Sequence, residues 1–145
     1  IKLSELMNEI LSKNHDFISS KGLRLSSNIQ KNILFFGNKI YFEIMINNLL
    51  DNAIKYSVDG GLITVSLENY GTQLILIITN SGNKISQNEI DKIFDKFYRA
   101  KGNNILGCGL GLAIVKKITK LYGGKVTFDS LADGAGARNV VKVIL

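Results

Sequence analysis

Cysteine, histidine and proline are scarce in this chain of 145 residues, which has one cysteine, one histidine and no proline. A lone Cys108 cannot close an internal disulfide, and without further thiols or a histidine cluster the sequence offers no zinc site. Long apolar runs are also missing. None approaches the roughly 18 residues of a membrane span, and the opening "IKLSELMNEILSKN" lacks the layout of a signal peptide. These gaps exclude a disulfide framework and a zinc module, and they predict a domain that resides in water.

The composition is that of a globular domain, with 46% hydrophobic and 21% charged residues. The length suits one core and is too short for two, so we expect a single domain over residues 1–145. Acidic residues are in deficit, 12 against 18 lysines and arginines, and the net charge of +6 suits an anionic partner. Charge alone leaves nucleotide, nucleic acid and acidic protein open.

The pattern of apolar residues predicts an α+β fold without internal repeats. Helices are expected at 3–14, 39–56 and 110–122, and Ser86 followed by Glu89 indicates a further short, capped helix. Strands are expected at 23–29, 32–36, 60–69, 72–79, 125–130 and 139–145. The segment 72–79 is apolar on both faces, which predicts a central strand. Hairpin-like pairs favour a two-layer α/β sandwich, in which a mixed, mostly antiparallel sheet is covered on one face by about three helices.

The stretch "NNLLDNAIKYS", residues 47–57, inserts asparagines into an apolar helix that Asn38 is expected to cap. At about 100° per residue, Asn48, Asn52 and Lys55 share one side of this helix. The opposite side carries the apolar residues Phe42, Ile46, Leu49, Leu50 and Ala53. Two carboxamide oxygens one turn apart, beside an ammonium group, can hold Mg²⁺ and the phosphates that it neutralises. The alternative is a solvated helix face that happens to contain asparagine.

The segment "GCGLGLAIVKKITKLYGG", residues 107–124, begins with a glycine-rich turn and continues as a helix. Gly107, Gly109 and Gly111 allow the backbone to approach a ligand closely, and the start of a helix offers free N–H groups to phosphate. The segment is neither a P-loop nor a dinucleotide fingerprint, because the required lysine and the glycine spacing are absent. A plain tight turn is the alternative, but the asparagine face strengthens the phosphate interpretation.

Four motifs in this order resemble the catalytic ATP-binding domain of sensor histidine kinases, which has the GHKL or Bergerat fold. "NNLLDNAIKYS" resembles the N box, "TNSGNKI" the first glycine box, "IFDKFYR" the F box and "GCGLGLAIVKKI" the second glycine box. The resemblance implies a domain that binds Mg-ATP and donates the γ-phosphoryl group to a histidine on a separate dimerisation domain. That group would then pass to an aspartate of a response regulator.

The same resemblance implies a cytoplasmic piece of a membrane-anchored bacterial receptor. Residues 1–20 would lead in from the dimerisation domain, which is absent from this sequence, so the piece alone would show little activity. Neither nucleic acid nor direct membrane contact is implied. His15 imitates the opening of a phosphoacceptor motif, but residues 1–20 cannot supply the required hairpin. We interpret His15 as a surface residue after the first helix.

Carried over by motif, the resemblance implies a role for each matching residue of this chain. Asn52 would bind Mg²⁺ with support from Asn48, and Lys55 would contact phosphate. Tyr56, Asn80, Gly82 and Ile85 would surround the adenine. Gly107, Gly109, Leu110, Gly111 and Leu112 would form the phosphate loop and the helix start. Arg99 and Lys101, in a mobile lid over residues 96–108 anchored by Phe94, Phe97 and Tyr98, would reach the γ-phosphate. Plain solvated cations are the alternative for Arg99 and Lys101.

The first glycine box departs from the family pattern of Asp-x-Gly-x-Gly, because Asn80 replaces the acid and Lys84 replaces the second glycine. An amide can both donate and accept, so Asn80 could still bind adenine, and in a flipped orientation it could bind guanine. The sequence therefore predicts weaker discrimination between adenine and guanine than in relatives with aspartate, partly restored by Asn80→Asp.

Two other classes of protein are left open. A clamp ATPase of the gyrase or chaperone kind would need a catalytic glutamate in the N-box helix, for which Glu43 is the candidate, although the F box argues against it. An anti-sigma serine kinase is the second alternative. A regulatory relative that has lost ATP binding through Asn80 is also left open.

Overall fold

The structure is a computed structural model that describes residues 1–98 and 109–145. The helices are α1 (Leu3–Ser20), α2 (Lys39–Lys55), α3 (Gln87–Ile90) and α4 (Gly111–Leu121). The strands are β1 (Arg24–Ile29), β2 (Leu62–Asn69), β3 (Leu74–Gly82), β4 (Lys125–Asp133) and β5 (Gly136–Ile144).

The five strands form one mixed sheet in the order β1-β2-β3-β5-β4. β1 runs parallel to β2, whereas every other neighbouring pair is antiparallel. The long helices α1, α2 and α4 pack against one face of this sheet, and α2 contacts both α1 and α4. The predicted α+β sandwich with a central third strand is therefore confirmed.

The helix α2 forms as its sequence predicts. The side chain of Asn38 accepts a hydrogen bond from the N–H of Ile40 at 2.8 Å, so it satisfies one of the free donors at the helix start. The predicted apolar side is buried against the sheet, and Phe42, Ile46 and Leu50 are at most 1% exposed. Burial of this stripe holds the helix in one rotation, which fixes the direction of its asparagine face.

Several strand ends shift by two or three residues, and two predicted elements differ more strongly in the structure. α1 extends to Ser20 instead of ending at 14, because Ile18 continues the apolar stripe and is only 1% exposed, so His15 is an exposed residue within the helix. The predicted strand at 32–36 does not form. Residue Leu34 makes one isolated bridge to Lys2, and the ring of Phe35 packs with the rings of two other aromatic residues.

The outer face of the sheet has no second layer of helices in the described part of the chain. Along β3, buried and half-buried residues therefore alternate, and the apolar outer side chains Ile75 and Ile77 are half-buried. The expectation that β3 is apolar on both faces holds for its sequence, but only one face is covered. In the described residues, the helices are too short or too polar to cross a membrane.

Candidate functional site

An open cavity of about 650 Å³, counted to its solvent-filled mouth, lies between α2, the start of α4 and the inner face of the sheet. Its apolar walls are Leu49, Ala53, Ile78, Ile85, Ile93, Leu112, Phe128 and Val141. Its remaining lining residues are Asn52, Tyr56, Asn80, Tyr98, Gly109, Gly111 and Asn139. No charged side chain of the described ranges belongs to this lining, so the wall is neutral. An apolar cavity with a few converging polar groups is the usual form of a small-molecule site.

The inner end of the cavity carries two buried carboxamides on neighbouring strands. Asn80 of β3 and Asn139 of β5 are cross-strand partners, and they are 7% and 3% exposed. The Nδ2 of Asn80 donates to the backbone oxygen of Tyr56 at 3.2 Å. Tyr56 is the C-cap of α2, where the last carbonyl groups of a helix have no partner within it. The Asn80 amide therefore connects the central strand to the end of α2.

Asn139 connects the sheet to the segment 83–85. Its Nδ2 donates to the backbone oxygen of Asn83 at 3.2 Å, and its Oδ1 accepts a hydrogen bond from the Oγ of Ser130 at 2.6 Å. The same Oγ accepts from the backbone N–H of Ile85 at 2.9 Å, and Lys84 donates to the backbone oxygen of Ser130. The β4–β5 hairpin thus holds the segment that carries Ile85 into the cavity wall.

Gly82 lies where these groups converge, and the space left there excludes a side chain. A Cβ at this position would lie 2.7 Å from the backbone oxygen of Tyr56, 2.8 Å from the Nδ2 of Asn139 and 2.9 Å from the Nδ2 of Asn80. All three separations are shorter than ordinary contacts, and the nearest atom is backbone. The φ of Gly82 is not positive, so the backbone conformation does not require glycine. The lack of space for a side chain does.

The asparagine face of α2 meets the glycine turn before α4. Asn52 lines the cavity, and no hydrogen bond among the described residues engages its carboxamide. Asn48 donates from Nδ2 to the backbone oxygen of Ile44 at 2.8 Å, and its Oδ1 would lie 3.0 Å from a Cβ at Gly111. Asn48 is therefore beside the helix start but does not line the cavity. Lys55 is exposed and also lies outside the lining.

The turn at Gly109 needs glycine for two reasons. Its φ is +69°, and a Cβ would lie 2.8 Å from backbone atoms of Phe97 and Tyr98. The backbone N–H of Phe97 donates to the oxygen of Gly109 at 3.0 Å, which joins the end of the F box to the second glycine box. Leu110 is the N-cap of α4. Gly109 and Gly111 line the cavity, so the start of α4, with the positive end of the helix dipole, lies beside it.

Tyr98 stands at the cavity with an altered ionisation. Burial raises the pKa of its phenol above the ordinary tyrosine value, and the nearby Glu89 and Tyr56 act in the same direction. The hydroxyl lies at the cavity and can donate a hydrogen bond to a ligand. Of the other lid anchors, Phe94 packs against the core, whereas Phe97 is 70% exposed. The side chain of Phe97 thus does not act as a buried anchor.

The donor set fits a hard divalent cation that is shared with phosphates. Asn52 presents to the cavity a carboxamide that no hydrogen bond among the described residues engages, and Asn48 turns its Oδ1 toward the start of α4. Mg²⁺ accepts neutral oxygen ligands and keeps several waters, so it needs only one or two protein groups. No cluster of three or more histidine, cysteine or acidic residues occurs in the described ranges. An all-protein metal cage is therefore not available there, which agrees with a cation bound together with a ligand.

Most of the motif residues meet at this one cavity. The lining includes Asn52, Tyr56, Asn80, Ile85, Gly109, Gly111 and Leu112, while Gly82 contacts its inner end and Asn48 and Leu110 lie at its rim. Lys55 lies apart from the lining, and Arg99, Lys101 and Gly107 are outside the described residues.

Sequence reasoning did not single out Asn139, Ser130, Phe128 and Val141, which belong to the cavity or its support. A signal for Asn139 was present. Along β5 the inward positions are Ala137, Asn139, Val141 and Val143, and a carboxamide in such an apolar series indicates a buried polar function. Ser130 had no comparable signal, because a serine in a strand is usually a surface residue.

The fold is a two-layer α/β domain with an open cavity between its helices and sheet, and comparisons with known proteins identify its family. Residues 37–145 match the family model described as histidine kinase-, DNA gyrase B- and HSP90-like ATPases. The chain belongs to this family.

Known sensor kinases are similar over most of the chain. The sensor protein QseC of Escherichia coli O157:H7 is 34% identical over 114 residues, which are 77% of this chain and 24% of that protein. The chain thus spans about a quarter of that relative's length. The structure of a mycobacterial sensor histidine kinase, MprB, superposes with a TM-score of 0.90 at 25% identity, covering 100% of this chain and 95% of that one. ThkA, in a complex with the response regulator protein TrrA, shares the fold with a TM-score of 0.77 at 23% identity, over 99% of this chain and 40% of that one.

Proposed function

We propose that the chain is the catalytic ATP-binding domain of a two-component sensor histidine kinase. The observation that carries this proposal is the convergence of the N-box carboxamide Asn52, the first-glycine-box residues Asn80 and Ile85, and the helix start at Gly111 on one cavity. The apolar inner end suits the adenine ring, which would stack among aliphatic side chains and Tyr56. The triphosphate would extend to the mouth, where the first turn of α4 offers N–H groups.

Mg²⁺ would be held by Asn52, with Asn48 beside it, and would neutralise charge on the phosphates. The neutral wall supports this part of the proposal, because no described acidic side chain lines the cavity to repel a polyphosphate. The carboxamides orient the phosphates without adding negative charge. Lys55, Arg99 and Lys101 would add positive charge near the γ-phosphate, and Tyr98 would donate a hydrogen bond at the rim.

The γ-phosphoryl group would be transferred to a histidine on a separate dimerisation domain and then to an aspartate of a response regulator. Residues 1–20 would connect to that dimerisation domain within a membrane-anchored bacterial receptor. The complex of ThkA with a response regulator supports this partner class by analogy of fold. Positioning and charge neutralisation would do most of the catalytic work.

The clamp ATPase alternative finds no support at Glu43. Its carboxylate pairs with the Nζ of Lys39 at 3.6 Å on the outer side of α2, and Glu43 is absent from the cavity lining. A general base must come within hydrogen-bond reach of the attacking water. Glu43 is therefore not arranged for that role.

Calorimetric titration with ADP and ATP, with and without Mg²⁺, tests nucleotide binding directly. Labelled ATP, mixed with this chain, the parent dimerisation domain and the response regulator, tests transfer. We expect acid-labile label on histidine and then on the regulator. Label on a partner serine would instead identify the anti-sigma class, ATP-driven dimers without label would identify the clamp class, and no nucleotide uptake would reject all three.

A further inference from the structure

A group of exposed apolar side chains lies at the start of α2 and in the segment just before it. We call this group the entry patch, and its members are Leu34, Phe36, Ile40, Tyr41 and Ile44. Phe36 is fully exposed, Leu34 is 72% exposed and Ile40 is 62% exposed. Single exposed apolar residues are normal, but a contiguous set of large ones marks an interaction site. The entry patch therefore indicates a surface that another part of the whole protein covers.

Strand geometry fixes the direction in which Leu34 and Phe36 point. Side chains alternate along this extended stretch, in which Ile33 belongs to the core and the ring of Phe35 lies 4.9 Å from that of Phe42. Leu34 and Phe36 therefore point to the other side, away from the core. They cannot turn inward without removing Ile33 and Phe35 from their buried positions, so the domain alone leaves them exposed.

The chain enters the domain directly beside this patch. Lys2 and Leu34 form an isolated antiparallel bridge. Next to it, the nitrogen of Ile1 donates to the backbone oxygen of Phe35 at 2.6 Å, and the N–H of Phe35 donates to the oxygen of Ile1 at 3.0 Å. One step further in this register, the residue before Ile1 in a longer chain would lie opposite Phe36, on the side that carries Leu34. The upstream chain would therefore emerge at the entry patch.

We propose that the segment immediately upstream of Ile1 covers the entry patch. It extends the antiparallel pairing to Phe36 and lays apolar side chains over Leu34, Phe36 and Ile40. This inference rests on the proposed function, which places a dimerisation domain before Ile1, and it deepens that function. The pairing contributes backbone hydrogen bonds, as when a strand is added to a sheet edge, and the patch contributes burial of apolar surface.

The position of the patch on α2 relates the upstream segment to the nucleotide cavity. Ile40 and Ile44 lie one turn apart, and the backbone oxygen of Ile44 accepts a hydrogen bond from the Nδ2 of Asn48 at 2.8 Å. Asn52, which lines the cavity, follows Ile44 by about 12 Å along the helix axis. One rigid helix therefore carries both the covered patch and the carboxamides of the site. Docking on this helix limits how far the upstream domain can move from the cavity mouth.

Hydrogen–deuterium exchange on two chains tests the proposal. One is this chain, and the other is the parent protein with its dimerisation domain. We expect the amides of residues 34–38 to exchange roughly tenfold or more slowly in the parent protein, because the added segment pairs with this backbone and excludes water. The turn between β2 and β3, residues 70–73, should exchange equally in both chains.

Substitutions in the patch identify the surface that is responsible. Phe36→Ser and Ile40→Ser change exposed side chains, so each should leave the Tm of this chain nearly unchanged. In the parent protein, each should reduce the added protection of residues 34–38. Leu131→Ser is the matched control, because Leu131 is an exposed apolar residue on β4. It should leave that protection intact.

The possible results separate this inference from the proposed function. Equal exchange of residues 34–38 in the two chains would overturn the inference. Dimers of this chain alone that Phe36→Ser abolishes in analytical ultracentrifugation would assign the patch to a second copy and would also overturn it. Either result, together with normal uptake of ADP in calorimetry, leaves the proposed function intact. No uptake of ADP or ATP would remove the proposed function whatever the exchange shows.

Discussion

Replacing Gly82 with alanine tests the packing at the inner end of the cavity. The added Cβ would lie 2.7 Å from the Tyr56 oxygen and under 3.0 Å from the amide nitrogens of Asn80 and Asn139. The backbone at Gly82 does not have a positive φ, so any effect is steric. The methyl group must displace at least one of the two buried amides from its carbonyl partner.

The expected magnitude follows from two contributions. Overpacking of a well-filled site costs about 1–3 kcal/mol, and each displaced amide hydrogen bond costs about 1 kcal/mol more. The free energy of unfolding should therefore fall by roughly 2–4 kcal/mol. For a chain of this size that corresponds to a decrease in Tm of about 5–15 °C. Since the Asn80 oxygen would move, ADP affinity should also fall by roughly tenfold or more.

Thermal unfolding and calorimetric titration with ADP and Mg²⁺ measure the two effects. Gly71→Ala is the matched control. This glycine, in the turn between β2 and β3, has a φ of +79° and open space around its Cβ position. Alanine there should cost about 1–2 kcal/mol of stability through left-handed strain without changing affinity. If Gly82→Ala matches the unaltered chain in both Tm and ADP affinity, the packing argument is wrong.

Three further changes test other parts of the site. Gly111→Ala would place a methyl group 3.0 Å from the Oδ1 of Asn48, so calorimetry should show weaker binding of Mg-ADP, with less loss for ADP in EDTA. Ser130→Ala removes the acceptor for the Ile85 N–H. Denaturant titration should show that the free energy of unfolding falls by about 1–3 kcal/mol. ADP affinity should also fall, because Ile85 would be held less firmly in the cavity wall. Burial raises the pKa of Tyr98 in the folded chain. The contribution of its protonated phenol to the free energy of unfolding should therefore be complete below the ordinary tyrosine pKa. It should be lost as pH rises through the higher pKa of the folded state. Ultraviolet difference titration of the unaltered chain against Tyr98→Phe should show one phenol that ionises late.

Contrary results have distinct meanings. If Gly111→Ala loses the same ADP affinity with Mg²⁺ and in EDTA, the asparagine side chains of α2 do not bind the metal. Undiminished ADP affinity in Ser130→Ala would show that the β4–β5 hairpin does not position the cavity wall. A Tyr98 phenol that ionises at the ordinary tyrosine pKa would contradict the raised pKa that burial at the cavity predicts.

The elements that sequence reasoning predicted well are those with local causes. The Asn38 cap, the Ser86 cap and the buried stripe of α2 depend on residues within a turn or two of each other. The central position of β3 follows from its apolar composition. The predicted strand at 32–36 is wrong: Ile33 joins the core and Phe35 contacts Phe42 at 4.9 Å between ring centroids, whereas Leu34 and Phe36 are exposed.

Local pattern by itself determined the helix faces, the caps and the presence of the four boxes, because helical periodicity and capping act over a few residues. Only the tertiary structure decided which distant residues contact the residues of the boxes. Asn80 meets the end of α2 24 residues away in sequence, and Ile85 meets Ser130 across 45 residues. Such contacts depend on strand register and on the way the helices pack over the sheet, so the direction of a single buried amide could not be read from the order of residues.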